Sequence, residues 1–244
     1  MVPQHPISKK PLYLRVRDAL LQRISSGAWK PGSAIPNEND LAREMGVSAG
    51  TVRRALQVME TDRLVTRRQG RGTFVKDHTC DARADRFSNL RTADGERANG
   101  QVLSVAIRTA TANELECTRL RLQADDTVYR IHRVRHHRGH VFMVEDVTLP
   151  AALFPGLAAD KPIADSIGVL AQEYGILLGK AEERISMGVP SEAVANTLLV
   201  APDTPVMVLD RVVFMLDHGR AVEWRLAHCH LDLADAYHYV AAMR

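Results

Sequence analysis

Along LYLRVRDALLQRISS (12–26), apolar side chains recur at Leu12, Val16, Ala19, Leu20 and Ile24. That spacing of three and four places them on one helical face. Gly27 ends this helix and Pro31-Gly32 makes a turn. Pro36-Asn37 opens a second helix, ENDLAREM, with Asn37 able to cap it and Gly46 able to stop it in a left-handed conformation. Ser48 caps a third helix running to about Asp62, with Val52, Ala55, Leu56 and Met59 turned inward. The third helix begins about three residues after the second ends, which is a helix–turn–helix spacing. Leu64-Val65-Thr66 and Thr73-Phe74-Val75 then read as two short strands around RRQGRG. Together these elements predict a winged helix–turn–helix over residues 1–76. A small helical bundle with an incidental hairpin is the competing reading; caps, turn chemistry and charge agree better with the winged form.

Residues 76–100 are polar and weakly periodic, and read as a linker (77–90) leading into a short irregular helix. Residues 91–244 contain an internal repeat. IRTATANELECTRLRLQADDTVYRI (107–131) aligns with ISMGVPSEAVANTLLVAPDTPVMVL (185–209) at an offset of 78. Each copy reads strand, short amphipathic helix, Asp-containing turn and long strand, and then enters a hairpin with turns at Arg138-Gly139 and His218-Gly219. Between the copies, SIGVLAQEYG reads as a helix ended by Gly175. The expected class is α+β: an antiparallel sheet of about six strands with helices on one side. Two related halves leave a cleft, a common place for a small ligand.

Charge sharpens this division. The 244 residues carry a net charge of only +3. Between Lys9 and Lys76, however, 14 Lys and Arg face 6 Asp and Glu, whereas residues 77–244 hold 18 against 23. A basic head on an acidic body suggests a polyanion-binding module joined to a different kind of domain. Arg53 and Arg54 lie on the third helix, and Arg67, Arg68 and Arg71 surround Gly70 and Gly72. No apolar run of about 18 residues occurs, so no membrane span is expected, and MVPQHPISKK lacks a signal-peptide core, so a cytoplasmic protein is expected. Cys80, Cys117 and Cys229 form no Cys-x-x-Cys pair and read as reduced thiols. His132, His136, His137 and His140 cluster at one turn, and His228 and His230 share a strand face. Without a thiolate cluster these read as solvated side chains, and neither metal nor cofactor is expected.

KPGSAIPNENDLAREMGVSAGTVRRALQVMETDRLVTRRQGRGTFV resembles the winged-helix domain of the GntR family of bacterial transcription regulators. VEDVTLPAALFPGL, AQEYGILLGKAEERIS and AVEWR resemble the UTRA effector domain of the HutC subfamily, whose fold is similar to chorismate lyase. The resemblance implies a recognition helix in the major groove and a wing in the minor groove. Ser48 and Thr51 would meet phosphates, Arg53 with Arg54 would reach phosphate or base edges, and Arg68, Gly70, Arg71 and Gly72 would form the wing. Asn39 and Ala49 stand where the family has arginines, so a different operator or weaker DNA binding is expected.

For the effector, the resemblance implies Ser88, Arg133, Arg135, Ser166, Glu145 and Glu223. Arg133 and Arg135, two apart on a strand, point to one face, and their planar forks suit phosphate or carboxylate. Asp165 aligns best with the family's helix-start serine and would repel phosphate, which favours a carboxylate or a polar, less charged ligand. The plainer reading of the arginine pair is a solvated sheet face paired with acids. The implied function is a transcription repressor, a homodimer on palindromic double-stranded operator DNA, tuned by a small anionic or polar metabolite (carboxylate, sugar phosphate or similar). An enzyme with a lyase-like C-terminal domain and a ligand-independent DNA-binding protein are the alternatives. No Ser-His-Asp order with a supporting motif, P-loop or dinucleotide fingerprint supports the enzyme.

Overall fold

The structure is a computed structural model. It describes residues 10–62, 64–76, 87, 89–92, 95, 98, 100–137, 139–157, 163–216, 219–231 and 237–239. The chain separates into two compact units, Met1–Cys80 and Asp81–Arg244.

The first unit contains α1 (Leu12–Ser25), α2 (Glu38–Met45), α3 (Ala49–Thr61), β1 (Val65–Arg68) and β2 (Gly72–Val75). Its helices begin and end where the local chemistry directs. The Asn37 side chain accepts from the backbone N–H groups of Asn39 and Asp40, at 3.0 and 2.9 Å. Gly46 closes α2 in the left-handed conformation at φ 64°. Ser48 accepts from Thr51 N–H at 3.2 Å. Val16, Leu20 and Leu21 of α1 are buried with Val52, Ala55, Leu56 and Met59 of α3. Loss of any large member of this core would cost about 2–5 kcal/mol. Residues 32–35 add a partner strand that the sequence did not suggest: Gly32 N–H donates to Val75 O, Val75 N–H to Ser33 O and Ile35 N–H to Thr73 O, each at 2.9 Å.

In the second unit, β3 (Leu90–Thr92) pairs with β10 (Tyr237–Tyr239). Leu90–Thr92 is therefore a strand where a short irregular helix was expected. Its partner lies far away in sequence, so no local pattern announces it. The main sheet comprises β4 (Gln101–Thr111), β5 (Thr127–His137), β6 (His140–Pro150), β7 (Leu178–Gly188), β8 (Val206–Met215) and β9 (Ala221–Cys229). It is antiparallel throughout, in the order β4-β5-β6-β9-β8-β7. The two halves of the repeat thus meet at β6 and β9. Helices α4 (Glu114–Leu120) and α6 (Glu192–Leu198) occupy equivalent places. They are capped by Asn113 and Ser191 and end at left-handed Arg121 and Leu199, each pair 78 residues apart.

Each repeat helix packs on strands of the other half. Leu120 of α4 clusters with Val212, Phe214 and Ala221. Leu198 of α6 clusters with Val144 and Val206. This exchange binds the halves into one core. The third helix, α5 (Ile167–Glu173), lies on the opposite face, where Ile167, Leu170 and Ala171 join Ile131, Val147, Leu149, Phe154 and Val213. Helices therefore cover both faces, not one. The sheet has buried apolar side chains on both sides, and each side requires a cover.

Candidate functional site

On the first unit, the predicted DNA-facing residues gather around α3 and the hairpin. Ser48 and Thr51 are joined by a 2.9 Å hydroxyl contact at the start of α3. Arg53 is exposed, but its Nε donates to Glu38 Oε2 at 2.8 Å. Glu38 also meets Arg67 at 3.4 Å, and the Arg67 backbone N–H donates to Glu60 at 3.2 Å. Glu38 is a residue that sequence reasoning missed. It joins α3 to β1, and its sequence signals were its place beside the Asn37 cap and its position in Pro36-Asn37-Glu38-Asn39, within the stretch that carries the family resemblance. Arg54 lies over the Tyr13 ring at 4.5 Å, so it leans toward α1 while Arg53 leans toward α2. Arg68 lies over Phe74 at 4.8 Å, and Arg71 N–H donates to Arg68 O at 2.9 Å to close the wing turn. Gly70, Arg71 and Gly72 are exposed at its tip.

The second unit holds a cavity of about 210 Å³ on the α5 side of the sheet. Two cross-strand rows build its floor. One runs Val105-Arg133-Glu145-Ala227-Leu209-Ile185 from β4 to β7, and the other Ile107-Ile131-Val147-Arg225-Arg211-Glu183. The charges sit in the first half of one row and the second half of the other. The pseudo-symmetry of the repeat brings Arg133 and Glu145 together with their counterparts Arg211 and Glu223, and the second half adds Arg225 and Glu183, whose counterparts Val147 and Val105 are apolar. Arg133, Arg135, Arg211 and Arg225 are all buried, as are Glu145 and Glu223.

Glu145 is the hub. Arg135 Nε donates to its Oε1 at 2.9 Å, Arg133 Nη1 to Oε1 at 3.5 Å, and Arg225 Nη1 to Oε2 at 3.2 Å. Burial alone would raise the Glu145 carboxyl, but Arg135, Arg225 and Arg133 together hold it at about 2. Arg225 reaches on to Glu183 at 3.3 Å. Arg211 grips Glu223 through Nε and Nη2, at 3.2 and 2.6 Å, and donates from Nη1 to Phe87 O at 2.7 Å. Arg133 and Arg135 also donate to the backbone carbonyls of Ala164 and Asp165, at 2.9 and 2.5 Å. Burial pushes the neighbouring Cys229 thiol up to about 12, so it is inert as a nucleophile.

Of the predicted effector residues, Arg133, Arg135, Glu145, Ser166 and Glu223 line this one cavity. Ser88 lies outside the described residues, though Phe87 and Asn89 line the wall. Ser166 caps α5, its hydroxyl accepting from Val169 N–H at 3.4 Å. The arginine pair is not on a solvated face: it is paired with an acid, but buried. Sequence reasoning missed Arg211, Arg225 and Glu183. The repeat offset could have found Arg211, since it carries Arg133 to Arg211 as it carries Glu145 to Glu223. At the histidine cluster, His132 Nδ1 meets Asp146 at 2.8 Å, while burial lowers the pKa of His228. Among the described residues, no group of three His, Cys, Asp or Glu side chains is arranged to hold a metal.

Comparison with known proteins places these two units. Residues 12–75 match the bacterial regulatory proteins of the gntR family, and residues 93–235 match the UTRA domain. The mannosyl-D-glycerate transport/metabolism system repressor MngR of Escherichia coli (strain K12) is 26% identical over 218 residues, spanning 88% of this chain and 90% of its own length. The histidine utilization repressor of Pseudomonas putida is 32% identical over 158 residues, 64% of this chain and 63% of its own. Two solved structures share the fold. YydK from Bacillus subtilis has a TM-score of 0.51 at 15% identity, covering 96% of this chain and all of its own. The ligand-binding domain of a GntR-family regulator from Bordetella bronchiseptica has a TM-score of 0.54 at 24% identity, covering 64% and 96%.

The chain belongs to the GntR family of transcription regulators that carry a UTRA domain. It is a DNA-binding transcription regulator with an effector domain, and its recognised relatives include proteins named as repressors.

Proposed function

We propose that this regulator is a homodimeric repressor. Its winged units bind the two halves of a palindromic operator, and a small acidic or polar metabolite in the Arg133–Glu145 cavity tunes that grip. The observation that carries this reading is the buried arginine–glutamate cluster lining an open cavity. Buried ion pairs of this kind rarely gain stability over an apolar core, so a ligand-binding role accounts for their presence. The DNA contacts are assigned to Ser48, Thr51, Arg53, Arg54, Arg68, Gly70, Arg71 and Gly72. Arg53 is released from Glu38 to reach phosphate or a base edge. Asn39 and Ala49, in place of arginines, lower the phosphate contacts and the salt dependence with them. The repressors named among the relatives support the direction of control.

The effector domain serves as a sensor and not as an enzyme, and the regulator works in the cytoplasm. No helix among the described residues is long and apolar enough to cross a membrane. The test is a thermal-shift screen of the full chain against a metabolite library, with DNA binding to its own promoter region and mass by light scattering measured alongside. A hit that stabilises without being consumed, retained promoter binding at low ionic strength and a dimeric mass are expected. Turnover of the hit, absence of promoter binding or a monomer would overturn the proposal.

A further inference from the structure

Arg133 and Arg225 are not fully satisfied by the groups around them in this cavity. A guanidinium carries five N–H donors. Arg133 commits two, to Glu145 and Ala164 O, and Arg225 commits two, to Glu145 and Glu183. The Nε atoms of Arg133 and Arg225 are buried without a partner among the described residues. Such donors are costly to leave unmet. The two residues come from opposite halves of the sheet and flank the Glu145 carboxylate, which takes Arg133 on one oxygen and Arg225 on the other.

We propose, resting on the effector-site reading above, that the ligand presents a carboxylate bridging Arg133 and Arg225, which makes Arg225 a specificity-determining residue of the cavity. Charge selects the head group. The lining sets four arginines against Glu145, Asp165, Glu183 and Glu223, so it holds no surplus positive charge. A carboxylate adds one negative charge to this balance, and the unmet Nε–H groups of Arg133 and Arg225 offset it. A phosphate dianion adds two beside Asp165. The two arginines offer planar forks on either side of the Glu145 carboxylate, which suits a planar two-oxygen head. A cavity of about 210 Å³ holds roughly seven waters at ~30 Å³ each. The body that follows the head is correspondingly small, with Phe87, Leu90, Ile167 and Leu209 as apolar wall.

The experiment follows the arginine Nε–Hε resonances of the ¹⁵N-labelled full chain, assigned with Arg133→Gln and Arg225→Gln. Sodium acetate and sodium phosphate are titrated at matched ionic strength. Acetate is expected to move the Arg133 and Arg225 signals together and saturably, while phosphate moves neither beyond a sodium chloride control. Arg225→Gln should weaken acetate binding by about ten-fold, the loss of one charge-assisted bond. Arg225→Lys keeps the charge but not the fork and should recover only part of it. Acetate moving neither signal, tighter binding of phosphate, or unchanged acetate binding in Arg225→Gln would each overturn the proposal. If Arg133→Gln alone abolishes binding, the cavity remains the effector site and only the role of Arg225 falls. A library hit whose thermal shift survives Arg133→Gln would remove the cavity reading itself.

Discussion

Replacing Glu145 by Gln tests the ion cluster at its hub. The substitution keeps the shape of the side chain and removes the charge that three buried arginines share. The carboxyl is held at about 2 against an ordinary 4.5. At ~1.4 kcal/mol per unit, that difference contributes about 3 kcal/mol to folding at neutral pH. Removing one partner of a buried pair costs about 3–5 kcal/mol, in agreement. The sign follows from the direction of the shift. A depressed carboxyl stabilises the fold above its unfolded pKa, and the contribution fades as pH falls from about 4.5 to about 2. The gap between wild type and Glu145→Gln should therefore be about 3 kcal/mol at neutral pH and roughly half that near pH 3. Urea unfolding read by Trp224 fluorescence in a Trp29→Phe background isolates the effector domain. A gap below about 1 kcal/mol, or one that does not change with pH, would refute the electrostatic account.

Three further outcomes are expected. Gly100→Ala should destabilise the effector domain by more than about 2 kcal/mol in the same assay, because φ is 59° and the added Cβ would lie 2.5 Å from both His136 O and Phe142 Cε1. Glu38→Gln should raise nonspecific DNA affinity about five-fold and lower the specific-to-nonspecific ratio in a salt titration, since it frees Arg53 and Arg67 and removes a charge that repels phosphate. Ser48→Ala should cost about 1 kcal/mol in unfolding of the first unit, through loss of the cap on Thr51 N–H.

Elements whose cause is local were legible in the sequence. Asn37, Gly46 and Ser48 fixed the ends of α2 and α3 through bonds within three or four residues. The 78-residue repeat located α4, α6 and the long strands, and the family resemblance pointed to Arg133, Arg135, Glu145 and Glu223. What stayed hidden depends on distant pairing. Residues 32–35 join β2 across the domain, and β3 meets β10 from the other end of the chain. Arg225 and Glu183 have Val147 and Val105 as their repeat counterparts, so the offset that carries Arg133 to Arg211 could not flag them. Their part in the cavity arises only when β7, β8 and β9 align in register. The placement of α5 opposite α4 and α6 is likewise a property of the assembled sheet, since an amphipathic pattern does not say which face it covers.

The most direct test is the operator affinity of the full chain with and without a compound found by thermal shift, measured for wild type and for Arg133→Gln. Linkage between the cavity and the DNA-binding unit predicts a wild-type change of about 5–150-fold, equivalent to about 1–3 kcal/mol, and almost none in the variant. An undiminished response in Arg133→Gln would contradict the account, as would a wild-type operator affinity indifferent to any stabilising compound.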